Sequence, residues 1–324
     1  MELREYVIKK SIFSLITFLF VLIFNFALPR MMPGDPLSHF MSSARLTPEM
    51  QEMVIKRFGL DKPLWDQFKI YIRNVFRGDF GVSYSFYPQT VMEVIMKRLP
   101  WTLALLLIST TISTILGVLT GIIAAWKRGS KLDVGILLFS LTFWSMPYYW
   151  WAMMLLLIFG LHLGWFPLGG AMTAGLSHPT FFSFLKDYLR HAALPIFALV
   201  VASYASRTLI MRNTMITVLG EDYILVAEAK GLPEKRIMFS HAARNAMLPI
   251  ITMIALNFAF IVGGAVFTET VFSYPGVGRA IYQAVLHRDY PLLQGAFFIL
   301  SITVILANFI ADLLYAKLDP RIKY

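Results

Sequence analysis

Residues 101–125 read WTLALLLISTTISTILGVLTGIIAA, without a single charged side chain. A helix of about 20 apolar residues crosses the hydrocarbon of a bilayer, so this stretch is a membrane span rather than the core helix of a soluble domain. Along it Ser109, Ser113, Gly117, Gly121 and Ala125 recur every four residues. Such a stripe of small side chains lets another helix approach closely. It argues for a tight bundle or a partner contact, not for a ligand.

Working outward, comparable runs lie at roughly 10–29, 134–160, 192–212, 249–270 and 292–316. With 101–125 they make six spans, the pattern of an all-α integral membrane protein. The composition agrees: 57% of residues are hydrophobic and 15% charged, with mean hydropathy +0.65, against roughly 45–50% and about 25% for soluble domains. The chain has no cysteine, which removes disulfides, thiolate metal sites and cysteine nucleophiles together. The net charge of +10 would suggest nucleic acid in a soluble protein. In a membrane protein it reflects basic cytosolic flanks, and no nucleic-acid partner is called for.

Six spans put both termini on one side. Arg4, Lys9 and Lys10 in the tip, Lys127, Arg128 and Lys131 after the second span, Lys230, Lys235, Arg236 and Arg244 after the fourth, and Lys317, Arg321 and Lys323 in the tail make the richer set. The alternating short loops carry only Lys186 and Arg190, or Arg279 and Arg288. The richer set should be cytoplasmic. The segment 30–100 is also basic, but the charge rule loses force for loops of about 60 residues or more, and it is placed outside. The apolar region from Ile12 to Leu28 is longer than a signal-peptide core of about 7–15 residues and ends without a small-residue cleavage site, so the first span is read as an anchor. The domain order is then 1–29 (cytoplasmic tip and first span), 30–100 (external segment), 101–316 (five-span core) and 317–324 (cytoplasmic tail).

The external segment has helical organisation. Thr47-Pro48-Glu49 starts a helix that Gly59 stops. Pro63 opens another, with Leu64, Phe68, Tyr71, Ile72 and Val75 at helical spacing, ending near Gly78. A third, from about Pro88 to Arg98, sets Val91, Ile95 and Leu99 on one face and Glu93 with Lys97 on another, and is expected along the interface before Pro100 turns the chain inward.

Reactive constellations are missing. The chain has no G-x-x-x-x-G-K-[ST] phosphate loop, no H-E-x-x-H pair, no G-x-S-x-G elbow and no EF-hand loop. His39, His162, His178, His191, His241 and His287 are scattered without i,i+3 or i,i+4 pairing, which speaks against a shared metal site. No cofactor is implied. Charges within the spans sit near their ends: Arg207 in the fourth, Glu269 in the fifth and Asp312 in the sixth. Interfacial anchoring or helix pairing accounts for such positions, and no proton relay is visible.

The loop 213–248 carries the sharpest signal. Glu221-Asp222-Tyr223-Ile224-Leu225-Val226-Ala227-Glu228-Ala229-Lys230-Gly231-Leu232-Pro233 reads as a short helix of small and apolar residues broken at Gly231, and Pro233 opens a second stretch from Glu234 to Met247. A helix, a sharp turn and a helix with mixed charge make a surface built to be touched.

At this loop the sequence resembles the permeases of ATP-binding-cassette importers, specifically the dipeptide/oligopeptide/nickel permease family. The peptide branch reads D-Y-x-x-x-A-x-A-K-G-L, and this chain has Asp222-Tyr223, Ala227 and Ala229-Lys230-Gly231-Leu232, followed by His241-Ala242, Asn245-Ala246 and Leu248-Pro249. Of the broader E-A-A-glycine motif only the last alanine and the glycine survive. Collinear matches are Pro33-Gly34-Asp35-Pro36, Gly78-Asp79-Phe80-Gly81, Arg98-Leu99-Pro100 with Thr102, Ser145-Met146-Pro147, Glu269-Thr270-Val271-Phe272, Tyr274-Pro275-Gly276, Gly278-Arg279, Arg288-Asp289-Tyr290-Pro291, Gln294-Gly295 and Asp319-Pro320-Arg321.

The resemblance implies a type I importer permease in a prokaryotic inner membrane. It would pair with a second, similar permease subunit as a heterodimer, with two cytoplasmic ATP-binding subunits supplying energy and an external solute-binding protein delivering cargo. The chain itself would not be an enzyme. The role of coupling helix, seated in a groove of the ATPase, carries over to Asp222, Tyr223, Ala227, Ala229, Lys230 and Gly231. On this reading Ala227 and Ala229 permit close approach, Gly231 permits the reversal and Lys230 pairs with an acidic rim. The cargo would be dipeptides or oligopeptides, with oligosaccharides or nickel as alternatives within the family. A passive channel or an intramembrane enzyme is the reading from another class. The aromatic run Trp144, Tyr148, Tyr149, Trp150, Trp151 and Trp165 suits stacking on cargo and an interfacial belt equally well.

Overall fold

The computed structural model describes residues 3–31, 56, 61–251, 253–254 and 265–318. The expected helix from Thr47 to Gly59, the motifs Pro33-Gly34-Asp35-Pro36 and Asp319-Pro320-Arg321, His39, the Asp312 side chain and much of the expected span 249–270 lie outside the described residues. Among the described residues the regular elements are helical: α1 (Leu3–Met31), α2 (Leu64–Phe76), α3 (Val91–Trp126), α4 (Lys131–Ser145), α5 (Tyr148–Leu155) continued by a π-helical stretch (Leu156–His162), α6 (Phe181–Leu219), α7 (Asp222–Ala229), α8 (Val266–Val271), α9 (Val277–Leu286) and α10 (Tyr290–Leu318). Between α7 and α8 a helical turn Glu234–Arg236, a π-helical stretch Ile237–Ala243 and a second turn Arg244–Ala246 follow one another.

By length and apolarity, Glu5–Ala27, α3 and α6 are long enough to cross a bilayer, and α4 with Tyr148–His162 forms a pair bent by 92° that counts as a fourth if taken as one span. The expected run 134–160 is therefore broken. Pro147 lacks an N–H and disfavours the α conformation in the residue before it. Met146 accordingly stands at φ −97° and ψ 138°, and the helix restarts at Tyr148. The expected turn at Pro100 does not occur: α3 continues through that proline. A proline removes one backbone hydrogen bond, and the helix-forming residues on both sides outweigh it. Its start is set by a capping box, in which the Glu93 N–H donates to Thr90 Oγ1 (3.3 Å) and the Thr90 N–H donates to Glu93 Oε2 (3.0 Å). Glu93, expected only on the polar face with Lys97, thus works as a cap.

Two compact units partition the chain, one drawn from Met1–Pro100, Ala259–Val266 and Gly276–Tyr324, the other from Trp101–Phe258 and Phe267–Pro275. In the first, α1 lies along α10. Asn25 Nδ2 donates to the Gln294 carbonyl (2.8 Å) and to Tyr71 Oη (3.2 Å), and Phe18 meets Phe298. α2 packs on α1, with Phe68 edge-on to Phe26 and Arg30 Nη2 donating to Gln67 Oε1 (2.8 Å). Leu22, Val75, Phe80, Val91, Ile95, Leu292 and Phe298 belong to one core. Asp289 is fully buried: Ser83 Oγ and the Ser85 N–H donate to one carboxyl oxygen, and the Leu292 N–H donates to the other, capping α10. Burial, and then Asp289 and Tyr290 beside it, pushes the Tyr84 phenol well up, so it stays protonated.

In the second unit the small-residue stripe of α3 meets α6. A Cβ on Gly117 would stand 2.7 Å from Arg207 Cβ, and one on Gly121 would stand 2.7 Å from Met211 Cβ and 2.8 Å from the Thr208 carbonyl oxygen. Of the two uses expected for the stripe, it serves packing within the chain. Arg207 and Glu269 are both buried rather than anchored at an interface. Arg207 Nε donates to Thr114 Oγ1 (3.0 Å) and Thr102 Oγ1 donates to Glu269 Oε1 (2.9 Å), so helix pairing is their role. Buried Asp133 takes a two-pronged grip from Arg212, Nε and Nη2 each at 2.7 Å, and also accepts the Gly129 N–H (2.9 Å), which fixes the start of α4 to α6. Prediction: Gly121→Ala destabilises the detergent-solubilised protein by about 1–3 kcal/mol through overpacking, seen as a lower thermal midpoint, whereas Gly135→Ala, inside α4 with no atom within 4 Å of the new Cβ, does not lower it and raises it slightly through the better helix propensity of alanine.

Candidate functional site

α7 is eight residues long, too short to stand alone in water, so packing must hold it. Ile224 and Ala227, three residues apart on one face, are buried against Ile122 and Ala125 of α3, Met211 and Met215 of α6, and Ile237, Ala242, Ala243, Ala246 and Ile250. The opposite face is bare: Leu225 is 66% exposed and Val226 52%. Asp222 lies in the first turn, where a carboxylate complements the helix dipole.

The far end closes in a Schellman motif. The Gly231 N–H donates to the Glu228 carbonyl (2.8 Å) and the Leu232 N–H to the Ala227 carbonyl (3.3 Å), with Gly231 at φ +68°. Leu232 then packs on the cluster that holds Ala227. Nothing stands within 4 Å of a Cβ built on Gly231, so the glycine is required for its left-handed backbone and not for space. Pro233 then leads into the turn Glu234–Arg236. Asn245 Nδ2 donates to Tyr223 Oη at 2.7 Å, joining α7 to the second turn.

The structure thus brings the six residues singled out in the loop together but sorts them by face. Asp222, Tyr223, Ala229, Lys230 and Gly231 are exposed, while Ala227 is 5% exposed. The close approach expected of Ala227 is to its own chain, because a residue three positions from Ile224 shares its inward face. Sequence reading overlooked the bare side chains of Leu225, Val226 and Phe239. For Leu225 and Val226 the signal was available: apolar residues flanking Ile224 and Ala227 on a helix too short to bury every face.

Histidines that look scattered in the sequence do converge elsewhere in this unit. Asp187 accepts from Thr173 N–H (2.8 Å) and Oγ1 (2.7 Å), His178 Nε2 lies 3.1 Å from its carboxylate, and His191 Nδ1 lies 2.9 Å from its carbonyl oxygen. The i,i+4 relation of Asp187 to His191 escapes a search restricted to histidine pairs. Among the described residues no set of three or more His, Cys, Asp or Glu side chains is arranged to hold a metal ion.

The long apolar helices, with the short, sharply capped α7 following α6, put the chain in the class of multi-span membrane proteins. Comparison with known proteins makes that particular. Residues 117–324 match the family model of the binding-protein-dependent transport system inner membrane component, and residues 3–106 match its N-terminal counterpart. The chain belongs to this family. It is 36% identical over 322 residues to the oligopeptide transport system permease protein AppB of Bacillus subtilis (99% of this chain, 100% of that one). It is 38% identical to the di/tripeptide transport system permease protein DppB of Pseudomonas aeruginosa (95% of each), and 36% identical to the dipeptide transport system permease protein DppB of Escherichia coli K12 (99% of each).

Prediction: Gly231→Val forces a β-branched residue into the left-handed region at about 1–2 kcal/mol, so hydrogen exchange at the Leu232 amide speeds up about tenfold. Gly231→Asn, which tolerates that region, changes it far less.

Proposed function

We propose that this chain is the membrane-spanning permease subunit of an ATP-driven importer of dipeptides or oligopeptides. The observation that carries this reading is α7: a helix seated inward by Ile224 and Ala227, bare outward at Leu225 and Val226, in a chain alike end to end to permeases named for peptides. Of two cytoplasmic ATP-binding subunits, one would grip α7 at Asp222, Tyr223, Leu225, Val226, Ala229 and Lys230. Gly231 keeps the reversal tight, and Ala227 transmits the load as part of the seat. A second, homologous permease would complete the pathway and an external solute-binding protein would deliver cargo.

Closure of the ATPases would press α7 as a rigid lever. The seat contains residues of α3, α6 and the stretch up to Ile250, so a push there moves these helices together. The grip of Arg212 on Asp133 makes α4 follow α6. The bend at Pro147 gives the α4–α5 pair a place to flex. Both termini and α7 are read as cytoplasmic and residues 30–100 as external.

Two outcomes test this. The chain has no cysteine, so single replacements report sidedness cleanly: Lys230→Cys should react with an impermeant maleimide only from the cytoplasmic side and Lys69→Cys only from outside, and the reverse pattern overturns the orientation. In vesicles containing the full complex, uptake of radiolabelled trialanine should require ATP and be competed by peptides but not by maltotriose or nickel chloride. ATP-independent uptake would favour a passive channel.

A further inference from the structure

Apolar contact holds α7 to its unit through Ile224 and Ala227, and such contact is non-directional. It resists lifting the helix off but not sliding or turning it on its seat. A lever must resist both. The contact that supplies direction is polar: Asn245 Nδ2 donates to Tyr223 Oη at 2.7 Å, across 22 residues of chain. Tyr223 is 39% exposed and Asn245 is exposed as well, so the core of the unit does not require the pair.

Asn245 lies in the turn Arg244–Ala246, immediately after the π-helical stretch Ile237–Ala243. A π-turn is wider than an α-turn and marks functional positions more often than chance. Its effect here is on register. Were Ile237–Ala243 wound as α-helix, the residues beyond it would be rotated by about 100° for each residue of offset removed, and the Asn245 amide would leave the Tyr223 hydroxyl. The wide turn therefore aims Asn245 at α7, while Ala246, its neighbour, enters the apolar seat.

We propose that Asn245 is a positioning residue for energy coupling: through the Tyr223 hydroxyl it locks the register of α7 against the helical stretch that leads to Ile250, so that force applied to α7 turns that stretch instead of sliding α7 across its seat. This rests on the coupling role proposed above for α7.

The test uses the complete complex, with its partner subunits, in proteoliposomes, and reads trialanine transported per ATP hydrolysed. Tyr223→Phe deletes only the hydroxyl and Asn245→Leu only the donor at similar volume. Asn245→Leu, outside the surface assigned to the ATP-binding subunits, should retain ATP hydrolysis while the ratio falls about fivefold to tenfold, the size of one lost hydrogen bond; Tyr223→Phe should lower the ratio by a similar factor, and the double variant should fall no further than either single one. Asn245→His, which can present Nδ1–H near the position of the amide, should recover most of the ratio. A wild-type ratio in Tyr223→Phe, additive losses in the double variant, or a proportional loss of hydrolysis and transport that leaves the ratio intact would each overturn the clamp. Those results are distinct from failure of the coupling reading, which would appear as ATP-independent transport by the unaltered complex.

Discussion

A helix of eight residues keeps its place only if something holds it, and here that is the burial of Ile224 and Ala227 among Met211, Met215, Ile237, Ala246 and Ile250. The contact combines alanines and methionines with the isoleucines Ile122, Ile224, Ile237 and Ile250. Alanines allow backbones close together, and methionine fills the gaps between them. One apolar cluster thus joins α3, α6, α7 and the stretch toward Ile250, and the exposed row of Leu225 and Val226 is a consequence of it: once one face of an amphipathic turn is spent inward, the other has nowhere to go but outward.

The same economy governs the long helices. Without a hydrophobic drive between helices in lipid, close packing and buried polar contacts hold them. Gly117 and Gly121 bring α3 against α6 at a distance no Cβ would allow, and Thr120 and Thr208 hydroxyls meet across that contact at 3.2 Å. Among the described residues, buried charged side chains of this unit have polar partners: Arg212 with Asp133, Arg207 with Thr114 and its own helix carbonyl, Glu269 with Thr102. In the other unit Asp289 does the equivalent task, tying the Ser83–Ser85 loop to the first turn of α10.

The chain belongs to the inner-membrane transport family, and against that background the geometry around Gly231 can be read. A Schellman closure with an open surround is a backbone device that makes a tight corner without drawing on side-chain contacts.

Much of this was legible in residue order alone. Apolar run length announces a membrane helix because the bilayer imposes a fixed thickness, and glycine before proline at 231–233 announces a reversal because backbone sterics are local. The four-residue recurrence of Ser109, Ser113, Gly117 and Gly121 announced close packing for the same reason. What required the folded chain were the choices that depend on neighbours distant in sequence: that Ala227 faces inward, that the stripe meets α6 of its own chain, that Asp133 finds Arg212 and Asp187 finds His178, and that α3 runs through Pro100 while the next span breaks at Pro147. A hydropathy pattern specifies which surface must leave water, but not which partner will cover it, because contact free energy belongs to pairs of residues that only the tertiary arrangement brings together.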